Sequence, residues 1–210
     1  RPLGLRLQKA SGRCWLFTGL NVFRAKMIDK YKLPEFEFSQ NYNFFYDQLE
    51  KANLFLQGVI DTRQKPMSDQ MVEWLFKNPL SDGGQFTGIS DIIGKYGVVP
   101  KEVMNETFAS NNTSQMAYLL KLKLREYGLQ LRELPVQTDM EDIKRIKTEM
   151  LGTVYRMLVL NLGEPPLEFT WTRRDINGKP VETKQYTPKS FYNEYIGKDL
   201  TNGYVMLMND

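Results

Sequence analysis

The stretch "QKASGRCWLF", residues 8–17, holds the single cysteine of the chain, and how that cysteine is read decides the rest. Ser11 and Gly12 allow a tight turn and a cap, and a helical period starts at once after them. A first helix is expected from about Arg13 to Met27, with Leu16, Leu20, Phe23 and Met27 on one face, so Cys14 falls in its first turn. A helix N-terminus presents unpaired N–H groups and the positive end of the dipole, and both favour the thiolate, the nucleophilic form of cysteine. An attacked carbonyl also needs donors for its oxyanion. Gln8, six residues before Cys14, can fold back to set its side-chain amide beside the Cys14 N–H. Residue type alone favours a plainer reading, in which a lone cysteine is a small buried hydrophobe. A nucleophilic thiol also needs a base, and the chain contains no histidine.

Outward from this segment, the 3.6-residue period dominates about three quarters of the length. A second helix is expected from about Gln40 to Ile60, with Tyr42, Phe45, Leu49, Leu56 and Val59 recurring at helical spacing. Ser68 is a candidate N-cap for a short helix carrying Met71, Trp74 and Leu75, which Pro79 ends. "FTGISDIIGKYG" gives another, closed by Gly97. "TSQMAYLLKLKLREYGLQLREL" reads as a longer helix with a solvated basic face beside a leucine face, and Thr138 with Glu141 as a capping box before a helix to about Leu160. The pattern then changes. "FTWTRRDINGKPVETKQYTP" alternates apolar and polar residues about Asn177-Gly178, the pair favoured in a type I′ hairpin. Thr187-Pro188 reads as the N-cap and first residue of a helix ending at Gly197, and "GYVMLMND", residues 203–210, as a final strand whose partners are not visible in the chain.

Composition narrows the function classes. With 41% hydrophobic residues in 210, the chain has material for one substantial core. Its 28 basic and 25 acidic residues are interspersed, so the net charge of +3 gives no basic stripe and little support for nucleic-acid binding. No apolar run approaches the roughly 18 residues of a membrane span, and the first twenty residues lack the order of a signal peptide. One cysteine excludes an internal disulfide framework, and reducing, cytoplasmic conditions are the default expectation. The absence of histidine argues against a zinc site, no phosphate-binding glycine loop is present, and no cofactor is implied. Arg1 in place of methionine implies processing or a boundary ahead of it.

Several blocks in order carry a family resemblance. "QKASGRCWLF" resembles the active-site segment of papain-like cysteine peptidases, specifically the bleomycin hydrolase and aminopeptidase C branch with its Q-K-x-S-G-R-C-W signature. "LSDGGQFTGISDIIGKYGVVPKEVMNE", residues 80–106, is similar to the D-G-G-Q and KYG-V-x-P-K stretch of that branch, and "PEFEFSQNYNFFYDQLEKANLFL" and "EPPLEFTWTRRD" with "TPKSFYNEY" also match in order and spacing. The lead-in departs from the family, with Leu7 where asparagine is usual.

The resemblance implies an α+β, papain-like cysteine proteinase fold: the helical lobe with family-specific helical insertions over residues 1–163, and the start of a β-rich lobe over 164–210. It implies Cys14 as nucleophile, Gln8 as oxyanion-hole donor, and Gly83 and Gly84 as a wall that lets substrate backbone approach closely. In this family the catalytic histidine and its orienting asparagine lie in the second half of a longer chain, so the 210 residues are expected to be an amino-terminal portion, inactive alone. The implied partners are a peptide substrate, the remaining half of the protein and further copies in a homohexamer. The implied activity is that of a cysteine aminopeptidase, its exopeptidase habit coming from a C-terminal arm in the cleft. The alternative is a non-catalytic binding or assembly module that retains the cysteine as a relic.

Overall fold

A computed structural model describes residues 9–197. Eight α-helices and one hairpin follow in order: α1 (Cys14–Tyr31), α2 (Gln40–Asp61), α3 (Gln70–Lys77), α4 (Phe86–Tyr96), a 3₁₀ turn (Lys101–Val103), α5 (Phe108–Asn111), α6 (Ser114–Glu133), α7 (Met140–Leu162), β1 (Phe169–Arg174), β2 (Pro180–Tyr186) and α8 (Pro188–Tyr195). The expected final strand, residues 203–210, lies outside the described residues, as does Gln8.

The core forms around α2, which packs against α1, α3, α4, α6 and α7. Residues 40–45 at its start are buried on every side, polar residues included, and Asn41, Asn43, Phe44 and Phe45 are sealed from solvent. The amides are kept there by hydrogen bonds. Asn41 Nδ2 donates to the carbonyls of Asn105 (2.8 Å) and Leu162 (2.7 Å), and Asn43 Nδ2 to that of Gly97 (3.0 Å). Ser39 caps the helix, accepting from Tyr42 N–H while its hydroxyl donates to the Met104 carbonyl. Helices α6 and α7 each bury one face, Met116, Leu120, Leu124 and Leu131 on the first and Ile143, Met150, Val154, Leu158 and Leu162 on the second.

The basic face of α6 is more than solvated charge. Arg125 donates to the Phe76 and Lys77 carbonyls at the end of α3, and Arg132 to those of Thr62 and Lys65 just beyond α2, so two of its cations satisfy carbonyls at or beyond helix ends. Two expected caps move by one residue. Asp69, not Ser68, caps α3, accepting from Met71 and Val72 N–H. Asp139, not Thr138, caps α7, while the Thr138 hydroxyl is engaged with the Pro135 carbonyl at 2.7 Å. The short α5 carries an unforeseen capping box between Thr107 and Ser110.

The hairpin pairs β1 with β2 antiparallel, Phe169 opposite Tyr186, with an irregularity at Arg173/Arg174. Its turn is not type I′. That turn needs positive φ at both central residues, and here Gly178 alone has it, at 81°. Gly178 N–H bonds the Asp175 carbonyl, and Asp175 Oδ1 accepts from both Asn177 and Lys179 N–H, each at 2.9 Å. The aspartate organises a longer turn in which only the glycine turns left-handed. Thr187 and Ser190 then form a capping box with Pro188 at the first helical position, as the Thr-Pro pair predicts.

Phe169, Trp171, Tyr186, Phe191 and Tyr195 belong to the same buried cluster as the helical core, and Trp171 Nε1 donates to Glu102 at 3.1 Å. At Gly97 the end of α4 packs directly on the start of α8, and the next residue's N–H bonds the Pro188 carbonyl at 3.2 Å. The Gly97 φ of 81° and ψ of −162° lie in a region open essentially to glycine, and an added Cβ would stand 2.2 Å from the Pro188 carbonyl oxygen. Gly97→Ala is expected to cost more than about 2 kcal/mol from conformational strain and this clash together, read as a lowered urea midpoint with an unchanged slope.

Candidate active site

The segment ahead of Cys14 is fastened before the helix begins. Ala10 bridges Asn112, its N–H bonding the Asn111 carbonyl at 3.1 Å and its carbonyl accepting from Thr113 N–H at 3.3 Å. Gly12 N–H donates to Asp82 Oδ2 at 2.7 Å, and a Cβ on Gly12 would meet Asp82 Oδ1 at 2.5 Å, so this approach requires glycine. Arg13 is fully buried. Its guanidinium makes a two-point bond with Glu106 (3.2 and 2.8 Å), donates to Ser11 Oγ (3.0 Å) and lies over the rings of Phe17 and Phe44.

Cys14 is therefore the first residue of α1, with its thiol free and the residue exposed. The helix start has neither a side-chain cap from Arg13 nor an acidic residue in its first turn to offset the partial positive charge of its N–H groups. Its exposure is not that of a core cysteine. Trp15, next in the chain, turns inward, and its Nε1 donates to the Asp82 carbonyl at 2.9 Å.

The loop before α4 is brought against this helix start. Asp82 receives Gly12 N–H and the Thr113 hydroxyl (2.8 Å) on one carboxylate oxygen. Burial works against its ionisation, but those two donors, together with its own N–H and the charge of Lys51, outweigh it and hold the carboxyl below the usual carboxylate range. Gly84 lies against Trp15, where a Cβ would come within 2.7 Å of the indole, whereas the space around Gly83 is open. From the other side, Gln48 Nε2 donates to the Ser81 carbonyl at 3.0 Å. Lys51 Nζ donates to the carbonyls of Ser81 (3.0 Å) and Gly83 (2.6 Å) and to Asp47 Oδ2 (2.7 Å). Asp47 is nearly buried, and burial pushes its carboxyl up despite the lysine and Gln48 beside it.

The structure thus joins Cys14, through Trp15, to the loop of Gly83 and Gly84. Asp82, Lys51, Arg13 and Glu106, which hold the two segments, are absent from the sequence-based set of site residues. All four sit inside blocks that resemble the family, but nothing in those blocks marks them apart from their neighbours, and Lys51 reads there as one more polar residue on a helix.

Comparison with known proteins agrees with this geometry. Residues 5–210 match the Peptidase C1-like family. Aminopeptidase C of Listeria monocytogenes is 43% identical over 202 residues, covering 96% of this chain and 45% of that protein. Aminopeptidase C of Lactobacillus delbrueckii subsp. lactis is 41% identical over 203 residues, with the same shares covered. The crystal structure of PepW from Lactobacillus rhamnosis superposes with a TM-score of 0.86 at 40% identity, over 90% of this chain and 43% of that one. The chain spans a little under half the length of these relatives. With the helical packing, the small sheet and the exposed cysteine at the start of α1, the match identifies an α+β papain-like fold, and the chain belongs to the Peptidase C1-like family, in its bleomycin hydrolase and aminopeptidase C branch.

Proposed function

We propose that these residues carry the nucleophile side of a cysteine aminopeptidase. The observation that carries the reading is the exposed Cys14 at the uncapped start of α1, with the Gly83–Gly84 loop fastened next to it. In the proposed reaction the Cys14 thiolate attacks the carbonyl of the N-terminal residue of a peptide, forming an S–C bond. The C–N bond then breaks, and the leaving amine takes the proton from an imidazolium. Water, deprotonated by the same imidazole, hydrolyses the thioester and restores the thiol. Gln8 and the Cys14 N–H stabilise the tetrahedral oxyanion. As the 210 residues contain no histidine, the imidazole comes from polypeptide outside them. That polypeptide, the peptide substrate and further copies in a homohexamer are the partners of this reading, and a cytoplasmic setting suits its free thiol. Among the described residues, no helix is long and apolar enough to cross a membrane.

The test is turnover by the intact polypeptide that carries these residues, using fluorogenic aminoacyl amides with a free or an acetylated amino group. Hydrolysis of the free-amine substrates only, stopped by iodoacetamide, is the expected result. Equal hydrolysis of both would make the protein an endopeptidase, and hydrolysis of neither would favour the binding-module alternative.

A further inference from the structure

Lys51 lies in the fourth turn of α2, where a helical lysine ordinarily projects into water. Here its side chain is only 22% exposed, and its ammonium has three acceptors: Asp47 Oδ2, the Ser81 carbonyl and the Gly83 carbonyl. An ammonium has three protons, so each has a partner. Two of those partners are main-chain oxygens of the loop that leads to the glycine pair, and the ammonium also sits 5.4 Å from the centre of the Trp15 ring. The bond to Gly83 fixes more than a distance. In a trans peptide the C=O and the following N–H point in opposite directions, and the described residues contain no cis bond. With the Gly83 carbonyl turned to Lys51, the Gly84 N–H is turned away from α2. The open space at Gly83 leaves that peptide approachable, while Trp15 blocks any shift of Gly84 toward α1.

We propose that Lys51 is a positioning residue for substrate: by engaging the Ser81 and Gly83 carbonyls it sets the 83–84 peptide plane so that its N–H meets the main chain of a bound peptide. This rests on the aminopeptidase reading. The effect belongs to binding and not to the thiol, because Lys51 reaches the loop and not Cys14. Asp47 completes the device. Its carboxylate holds the ammonium from the α2 side, and in the absence of the lysine it can take up a proton and so avoid remaining as a buried charge.

The experiment compares wild type with Lys51→Met and Lys51→Arg in the intact polypeptide. Methionine keeps an unbranched apolar stem beside Trp15 and removes the donors. The expected result for Lys51→Met is a KM for free-amine dipeptide amides raised roughly 5- to 10-fold, the equivalent of one hydrogen bond, with kcat within twofold. Inactivation by a peptidyl epoxide should slow in proportion, while alkylation of Cys14 by iodoacetamide, which does not use the loop, keeps its rate. Lys51→Arg, which retains the charge and can reach the carbonyls, is expected to fall between the two. Unchanged KM in both variants overturns the proposal, as does an equal loss of kcat and iodoacetamide reactivity, which would signal general disturbance of α1. A wild type that hydrolyses none of the substrates fails the aminopeptidase reading itself, whereas an active wild type with an indifferent Lys51 fails only this proposal.

Discussion

Cys14→Ser is expected to lower the turnover of free-amine aminoacyl amides by at least about 10,000-fold, with no measurable change in folding stability. The residue is exposed, so the exchange of sulfur for oxygen leaves no cavity in the core, and substitutions at such positions usually move stability by no more than about 0.5 kcal/mol. The neighbouring contacts are made by other groups: the Asp82 bonds to Gly12, Trp15 and Thr113, and the Arg13 pair with Glu106. Binding and the orientation of the helix start should therefore survive. On the proposed reading the nucleophile is what is lost, because a serine hydroxyl is far weaker than a thiolate in the same field, and a catalytic unit without its nucleophile falls back to what its oxyanion hole and binding alone supply. The measurement is kcat/KM beside a thermal melt on the same sample. A variant that retains more than about one hundredth of wild-type turnover would place the reacting group elsewhere and return Cys14 to the standing of a surface thiol.

The legible features are those set by local period and local chemistry. The expected helix over Gln40–Ile60 differs from α2 by one residue, because its apolar positions recur through six turns. The Thr187-Pro188 start of α8 follows from a cap whose partners lie within three residues. Errors arise where two neighbours compete for one task. Ser68 and Asp69 can both cap α3, as Thr138 and Asp139 can both cap α7, and each time the aspartate accepts the helix N–H. At α7 the hydroxyl is already committed to the Pro135 carbonyl. In the hairpin, Asn177-Gly178 carries the type I′ signal, but Asp175 two residues earlier recruits the turn N–H groups and lengthens it. The candidate site divides along the same line. Cys14 at a helix start follows from Ser11, Gly12 and the onset of periodicity, whereas Arg13–Glu106 spans 93 residues and Lys51–Gly83 spans 32. The signature includes Arg13 without saying that it is buried, and Lys51 does not differ, as a letter in the sequence, from a solvated cation.

Arg13→Met is expected to destabilise the fold by about 3–5 kcal/mol, a drop of roughly 6–20 °C in melting temperature for a chain of this size. Arg13 is wholly buried, and the Glu106 side chain is 18% exposed, so the partner left behind is a carboxylate mostly cut off from water. Methionine has similar reach and leaves Phe17 and Phe44 covered, so the loss comes from the unpaired charge and not from a void. Among the described residues, Ser110 still donates to Glu106, at 2.7 Å. The double variant Arg13→Met, Glu106→Gln should recover part of the loss, because the amide removes the uncompensated charge. The cost should appear first at the site. The Arg13 carbonyl accepts the N–H groups of Leu16 and Phe17 at the start of α1, and Glu106 immediately precedes the capping threonine of α5, which α7 holds through the Asn161 carbonyl. A loss below about 1 kcal/mol in the single variant, the scale of an exposed ion pair, would mean that water reaches Glu106 freely. It would also mean that the buried arginine is not what fixes Cys14 at the head of its helix.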